Sequence, residues 1–346
     1  MAVVQLALDW TPNTNHTGFY VAQSKGWYEA EKIKLEVVSP HISGYKDTPV
    51  SLLTQDKVHF AIAPSESVIS AHTLQSAADK PAVQAIATVL QQDTSAIVTR
   101  ADSGIDQPSK LDGKRYASYG ARYEGRIVQQ LIRNAGGKGE FEEFTPPKLG
   151  IWNTILKGEA DATWIFEGWE GIEADQKNVA LNRFRLADYG VPYGYTPLLL
   201  TRTDTLRESS DLVKGFLRAT AKGFQFATDH PEEAAMIFFK QASQDLQGTG
   251  PSAELHWEQV KASQPYVSKH YLSKEGKWGT MESDRWDKFL DWLSETGLLT
   301  SKLQSRQPES STTSSLMGLL KGDVGDRIPR SSVQSSAMFS NAYLPN

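Results

Sequence analysis

Short apolar segments alternate with amphipathic ones along the first two thirds of the chain. Residues 3–8 and 58–63 are mostly apolar, as in buried strands, and residues 33–38 alternate between apolar and polar positions. Residues 18–30 have the apolar spacing of a helix. This order predicts a largely parallel sheet covered by helices, with right-handed crossovers. Further strands are predicted at residues 83–90, 96–99, 115–119, 141–144, 160–166 and 198–201, and helices at residues 49–55, 65–78, 124–134, 151–157, 210–228, 231–241, 253–263 and 283–296.

The length of 346 residues is large for one core and suits two. A second strand-and-helix cycle follows the first, and the strand at residues 198–201 leads back to it. We predict a discontinuous first lobe of residues 1–97 and 202–346 and a second lobe of residues 98–201, hinged near Arg100 and Thr201. A Ser- and Thr-rich stretch indicates a flexible tail insertion over residues 305–336, and residues 338–344 are expected to dock back on the body.

Composition narrows the classes of function. A net charge of −5 without a basic stripe argues against nucleic acid as a partner. The absence of cysteine removes disulfides, thiolate nucleophiles and cysteine metal ligands. No apolar stretch approaches the roughly 20 residues of a membrane span, and no signal peptide is visible, so we expect no membrane insertion and a cytoplasmic location.

In sheets of this kind ligands bind at the carboxyl ends of the strands. The loop after the first strand contains Asp9, Trp10, Asn13 and His16. Trp10 offers a flat apolar face for a ring, Asp9 could accept a hydrogen bond from an amine or a protonated ring nitrogen, and His16 could donate one to an oxygen. The alternative is that Trp10 belongs to the core and the asparagines form turns.

Two further turns lie at strand ends. Ser65 is a candidate N-cap and Glu66 favours a helix start, although a hydroxyl and backbone N–H groups there could also bind an acceptor. The glycine-containing turn that opens the helix at residues 124–134 has backbone N–H groups suited to a phosphate or carboxylate, with Arg122 and Arg126 beside it. A solvated turn is the alternative. The candidate residues of this second turn are Tyr119, Gly120, Arg122 and Tyr123.

Three aromatic rings and two carboxylates lie together at the end of the strand at residues 160–166. One ring could stack opposite Trp10 with a ligand between them, and a carboxylate could pair with an amidine-like edge. The alternative is that the rings belong to the core and the acidic residues lie on the surface. Paired carboxylates also occur in glycosidases, but no substrate subsites are evident in this sequence. Tyr193 lies in an aromatic loop that is either a lid or a turn cluster. No set of His, Asp and Glu residues has the spacing of a metal site, and no catalytic residue is assigned. The rings are Trp164, Phe166 and Trp169, and the carboxylates are Glu167 and Glu170.

The stretch LDWTPNTNHTGFYVAQSK at residues 8–25 resembles the opening of the thiamine-pyrimidine (hydroxymethylpyrimidine phosphate) synthases and of the bacterial formylaminopyrimidine-binding proteins. The likeness runs through residues 4–201 and returns in FSNAYLP at residues 339–345. The resemblance implies an α/β fold of the type II periplasmic-binding-protein kind. Such a fold has two lobes, each with a mainly parallel sheet flanked by helices, and a ligand cleft between them.

The resemblance also implies roles for single residues. Trp10 would stack on a pyrimidine, Asp9 or Asn13 would hydrogen-bond nearby, and His16 would lie in the cleft. The salvage binding proteins complete the sandwich with an aromatic residue four before a glutamate. Phe166 and Glu170 have that spacing, while Glu167 aligns better with a glutamate of the synthases.

The chain departs from the synthases where their chemistry takes place. The fungal synthase attaches pyridoxal phosphate to its own lysine and consumes a histidine four residues later, but this chain has Ala63 and Ser67 there. Alanine cannot form a Schiff base. His72 lies five residues beyond Ser67, and the synthase's cysteine-rich loop is also missing.

We therefore expect a protein that binds a small aromatic heterocycle, an aminopyrimidine or a related ring. One alternative is a synthase-type enzyme with altered chemistry, which would require pyridoxal phosphate and iron. The other is a transport component for a small organic acid or sulfonate. The expected partner is a small molecule, and a homodimer is left open.

Overall fold

The computed structural model describes residues 1–74, 82–147, 151–247, 255–301 and 325–345, with the backbone of residues 314 and 315. Strands and helices alternate through the first 200 residues, and helices dominate the rest. The strands are β1 (Ala2–Ala7), β2 (Ile33–Val38), β3 (Phe60–Ala63), β4 (Val83–Thr88), β5 (Ser95–Arg100), β6 (Arg115–Ala117), β7 (Glu142–Phe144), β8 (Ala162–Phe166), β9 (Leu181–Phe184), β10 (Leu198–Arg202) and β11 (Ser314–Ser315). The helices are α1 (Thr17–Ser24), α2 (Trp27–Ala30), α3 (Pro49–Thr54), α4 (Ser65–Thr73), α5 (Glu124–Asn134), α6 (Ile151–Leu156), α7 (Ile172–Gln176), α8 (Thr203–Glu208), α9 (Ser210–Asp229), α10 (Pro231–Leu246), α11 (Trp257–Val267), α12 (Ser283–Glu295) and α13 (Ser335–Met338).

The strands form two sheets, in the orders β2-β1-β3-β10-β4 and β11-β7-β6-β8-β5-β9. β1 runs parallel to β2 and β3, and β6 runs parallel to β7 and β8. β10 and β5, the strands that follow the two crossings of the chain, are antiparallel to both of their neighbours. Two sheets flanked by helices confirm the predicted α/β fold class, although the sheets are mixed, with four parallel and five antiparallel strand pairings among the described residues.

The crossings between the sheets differ slightly from the predicted lobe boundaries. Ser95–Arg100 is one unbroken strand of the second sheet, although its first three residues were assigned to lobe 1. Leu198–Arg202 is one strand of the first sheet, although four of its residues were assigned to lobe 2. Both predicted boundaries cut through continuous hydrogen-bonded strands, so the crossings lie nearer to the N-terminus than expected. The division into two lobes otherwise stays a prediction.

Helix α1 sets the position of the first loop. The single helix predicted at residues 18–30 is broken at Gly26, which has a φ of +71° and separates α1 from α2. α1 packs closely on α9, because a Cβ on Gly223 would lie 1.9 Å from the carbonyl oxygen of Gly18. The loop that precedes α1 is thereby held against the body of the first sheet.

The C-terminal segment packs on the first sheet, as predicted. The backbone N–H of Ser340 donates to the carbonyl of Ala85, and Phe339 stacks on Trp286 with ring centroids 5.9 Å apart. Most of the predicted tail insertion lies outside the described residues. Its last part is joined to the body, since the Ile328 N–H donates to the Leu299 carbonyl. Among the described residues, no helix is long and apolar enough to cross a membrane.

Candidate functional site

The loop between β1 and α1 is rigid because its polar groups bond to one another. Asn13 caps the short 3-10 helix Thr14–His16, with its Oδ1 accepting from the Asn15 N–H at 3.0 Å. Its Nδ2 donates to the Thr11 carbonyl at 3.1 Å. Both ends of the Asn13 amide are therefore used inside the loop, so the role of this residue in the structure is to shape the turn rather than to face the cleft.

His16 is fully buried, and both of its ring nitrogens have partners within the loop. Nδ1 accepts from the backbone N–H of Asn13 at 3.2 Å. Nε2 lies 2.9 Å from Oδ1 of Asp9. The predicted donation from His16 to a ligand oxygen does not fit this geometry, because the ring faces Asp9. The side chain of Asp9 is 27% exposed, and its Oδ2 has no protein hydrogen bond among the described contacts.

The ring of Trp10 meets aromatic rings from two directions. Tyr119, at the end of β6 in the second sheet, lies edge-on with its centroid 5.6 Å away. Tyr45, in the loop after β2, lies 4.9 Å away at 47°. Tyr45 has a φ of +63°, a left-handed conformation that tyrosine rarely adopts and that often marks functional loops. Trp10 thus contacts rings from both sheets, as a residue in an interlobe cleft would.

One of Trp164, Phe166 and Trp169 was predicted to face Trp10 across a ligand, and none of the three makes a direct ring contact with Trp10 among the described residues. Trp164 leans on Tyr193 with centroids 5.4 Å apart, and Trp169 packs against the apolar cluster around Phe238 on α10. Phe166 is half-buried at the end of β8 and makes no described ring contact with Trp10. The rings that contact Trp10 among the described residues are Tyr119, which was predicted as a site residue, and Tyr45, which was missed. The signal for Tyr45 was its place shortly after the carboxyl end of β2, where no site residue was predicted.

Glu170 is a buried carboxyl group close to this aromatic cluster. Its side chain is 8% exposed, and Oε2 accepts from the Phe166 N–H at 3.0 Å. Burial raises the pKa of Glu170 to about 7. Burial and then the charge of Glu170 raise the pKa of Tyr119, which places the carboxylate near the ring that meets Trp10.

Glu66 is a second buried carboxyl group, at the start of α4. Its Oε1 accepts from the Tyr193 hydroxyl at 2.6 Å, while Oε2 has no hydrogen-bond partner among the described residues. Burial raises the pKa of Glu66, and the bond from Tyr193 partly opposes this. The predicted N-cap at Ser65 is wrong, because Pro64 occupies that position and the buried Ser65 hydroxyl caps nothing.

The glycine turn before α5 holds a carboxylate of its own. Glu124 accepts from the N–H groups of Tyr119 at 3.1 Å and Ala121 at 3.2 Å, and from the Tyr116 hydroxyl at 2.8 Å. The N–H of Gly120 donates to Ser118 Oγ at 3.0 Å. The N–H groups of Tyr119, Gly120 and Ala121 are therefore occupied within the turn and not free for a phosphate. Burial, followed by the charge of Glu143, raises the pKa of Glu124 to about 7.

The buried Arg122 points away from that turn and joins the two halves of the protein. Its guanidinium donates to Ser70 Oγ at 3.2 Å, Thr73 Oγ1 at 2.8 Å and the Thr300 carbonyl at 2.5 Å. It also lies over the ring of Tyr123, 4.7 Å from its centroid. Tyr123 is fully buried in the main core, so neither residue lines an anion site as expected.

Glu167 connects the end of β8 to α11. Arg185 binds both of its oxygens, at 2.9 and 3.1 Å, and the Tyr266 hydroxyl donates to Oε2 at 3.0 Å. The short π-helix Glu167–Gly171 docks on α11, where Ser263 Oγ donates to the Gly168 carbonyl. Glu167 is thus engaged in an ion pair and connects the end of β8 to helix α11.

The site as a whole is acidic. Asp9, Glu66, Glu124 and Glu170 form no ion pair with a lysine or arginine among the described contacts, although the charge of Arg122 acts on Glu66 and partly opposes the rise of its pKa on burial. Such an arrangement suits a ring with N–H donors and disfavours an anion.

The residues present do not suit the pyridoxal phosphate and iron that the synthase alternative would require. Ala63, buried at the end of β3, has no amine for pyridoxal phosphate. Within the described ranges, no group of three or more His, Asp or Glu side chains is placed to hold a metal ion.

Comparison with known proteins agrees with the predicted fold and with the predicted family. A family model described as NMT1/THI5 like matches residues 13–234. The formylaminopyrimidine-binding protein of Halalkalibacterium halodurans is 24% identical over 296 residues, which is 85% of both chains. A 4-amino-5-hydroxymethyl-2-methylpyrimidine phosphate synthase of Legionella pneumophila is 29% identical over 234 residues, 67% of this chain and 71% of that one. The alkanesulfonate-binding protein SsuA of Xanthomonas axonopodis pv. citri, solved with MOPS, has a TM-score of 0.64 at 10% identity and covers 88% of this chain and 96% of its own.

Proposed function

Since the chain belongs to the NMT1/THI5-like family, we propose that it binds a small, unphosphorylated aminopyrimidine in the cleft between its two sheets, without reacting with it. The observation that carries the proposal is the group of Trp10, Tyr45 and Tyr119 rings beside the unpaired, buried carboxyl of Glu170. Aromatic faces suit a flat ring, and a carboxylate suits its amino and ring N–H donors. The relative named for binding formylaminopyrimidine supports this class of ligand.

The charges around the cleft support a ligand without a phosphate group. Glu124 takes the N–H groups of the glycine turn, and Arg122 donates into the opposite lobe. A phosphate or sulfonate would lie among carboxyl groups, and the ionised fraction of Glu124 and Glu170, each with a pKa of about 7, would repel it at neutral pH. This argues against the organic acid or sulfonate considered from the sequence.

A synthase is the second candidate, favoured by the 29% identity to the Legionella enzyme. Its reaction is disfavoured by Ala63 and Ser67, which occupy the positions of the synthase's lysine and histidine. Purified protein incubated with pyridoxal phosphate and iron(II), and examined by intact-mass spectrometry, should show neither an adduct nor a loss of mass at a residue. Either change would favour the synthase.

Isothermal titration calorimetry would test the binding function. The ligands are formylaminopyrimidine, 4-amino-5-hydroxymethyl-2-methylpyrimidine, its phosphate, and an alkanesulfonate. We expect the two unphosphorylated pyrimidines to bind more tightly than the two anions. Tighter binding of the phosphate or the sulfonate would contradict the proposal.

The variant Trp10→Ala should weaken pyrimidine binding at least about tenfold, because an aromatic contact contributes about 0.5–1.5 kcal/mol beyond its buried area. Trp27→Ala is the matched control, since Trp27 is half-buried on α2 against Phe226, away from the cleft. Equal affinities in both variants would remove Trp10 from the site. The cytoplasmic location and the homodimer stay predictions.

A further inference from the structure

The hydrogen bonds of His16 determine which of its nitrogens holds the proton. The backbone N–H of Asn13 points at Nδ1, so Nδ1 acts as the acceptor. The ring hydrogen is therefore on Nε2, which lies 2.9 Å from Oδ1 of Asp9 and donates to it. Because His16 is fully buried, no water competes for either bond.

We propose that His16 is a positioning residue that holds the Asp9 carboxylate in one orientation, with its second oxygen toward an N–H donor on the pyrimidine edge. This inference rests on the proposed function. It gives His16 a task different from the direct ligand contact expected from the sequence.

The surroundings of Asp9 support this assignment. Asp9 directly precedes Trp10 in the chain, and its charge acts on Tyr45, whose ring meets Trp10. Its side chain is partly exposed, although its neighbour His16 is wholly enclosed. One oxygen is thus fixed from the protein side while the other stays available at the aromatic cluster.

The imidazole of His16 also has a purely structural role, and the experiment must separate this role from the positioning of Asp9. His16 occupies the third position of the 3-10 helix and accepts from the N-cap backbone of Asn13, so the pair forms a capping box. A loss of affinity on removing His16 could therefore come from a distorted loop alone.

Two substitutions divide these tasks. The amide of His16→Asn reaches the position of Nδ1, so it can accept from Asn13 but is too short to reach Asp9. The longer amide of His16→Gln reaches the position of Nε2, so it can donate to Asp9 but does not complete the capping box. We expect His16→Asn to weaken aminopyrimidine binding about tenfold, the usual size for a hydrogen bond to a charged group, and His16→Gln to restore most of the affinity. A loop-shaping role alone predicts the reverse order.

A double-mutant cycle with Asp9→Asn provides the second readout. If His16 acts through Asp9, then adding His16→Asn to Asp9→Asn should cost little further affinity in calorimetry. Additive losses, or equal affinities of the His16→Asn and wild-type proteins, would overturn the positioning role while leaving the proposed function intact. Failure of the wild-type protein to bind any aminopyrimidine would overturn both, and that measurement distinguishes the two cases.

Discussion

Replacing Glu170 by glutamine should stabilise the protein at pH 8 and change its stability little at pH 5. Burial raises the pKa of Glu170 to about 7, whereas an unfolded glutamate titrates near 4.5. Between these values the unfolded chain releases a proton that the folded protein keeps, so the free energy of unfolding falls as pH rises. The difference amounts to about 3 kcal/mol at pH 8 and less than about 1 kcal/mol at pH 5. Glutamine has no charge to desolvate, and its carbonyl oxygen can still accept from the Phe166 N–H.

The assay is urea unfolding at the two pH values, with Glu208→Gln as the control. Glu208 is exposed and, among the described residues, pairs with its neighbour Arg207, so its replacement should change little at either pH. Comparing each variant with the wild-type protein cancels the similar contribution of Glu124, which is present in all three. An equal effect of Glu170→Gln at both pH values would refute the argument that burial of the charge controls stability here.

Two further predictions follow from the packing. Gly223→Ala should lower the free energy of unfolding by about 2 kcal/mol or more, because its Cβ would clash with the Gly18 backbone. A near-neutral result would contradict the close α1–α9 contact. Gly215→Ala on the same helix is its control, since that Cβ would meet side-chain atoms rather than backbone, with the Glu31 carboxylate nearest at 3.1 Å and the Arg218 guanidinium at 3.6 Å. Arg122→Met should weaken ligand binding about tenfold and increase the radius of gyration of the ligand-free protein in small-angle X-ray scattering, because it removes the donors to Ser70, Thr73 and Thr300. An unchanged radius would mean that Arg122 does not hold the two sheets together.

The fold could be predicted because each element has a local cause. The sequence predicts that α3 begins with Pro49 at its first position and Thr48 as its N-cap. The structure has both, and Thr48 Oγ1 accepts from the Ser51 N–H at 3.1 Å. Strand β9 was missed because its four residues, LNRF, mix polar and apolar side chains at the edge of a sheet. Its pairing with β5 depends on contacts far apart in the chain, which periodicity does not report.

The site was harder to predict because side-chain partners come from distant segments. The sequence points to loops at the strand ends, yet it could not show that Glu124 would fold back onto the turn before α5. Nor could it show that Glu167 would pair with Arg185, 18 residues away. In both cases a residue type that suits a ligand is satisfied inside the protein instead.

These internal pairings determine what the cleft can accept. The alkanesulfonate-binding protein shares the fold at 10% identity, so the framework of two sheets does not by itself select a ligand. In this chain Glu124 occupies the N–H groups with which a helix start would hold an anion, and Arg122 is drawn into the opposite lobe. What remains at the strand ends is a set of aromatic rings and carboxylates, with Asp9 oriented by His16. These observations are the basis for proposing a ring that donates hydrogen bonds, rather than an anion, as the ligand.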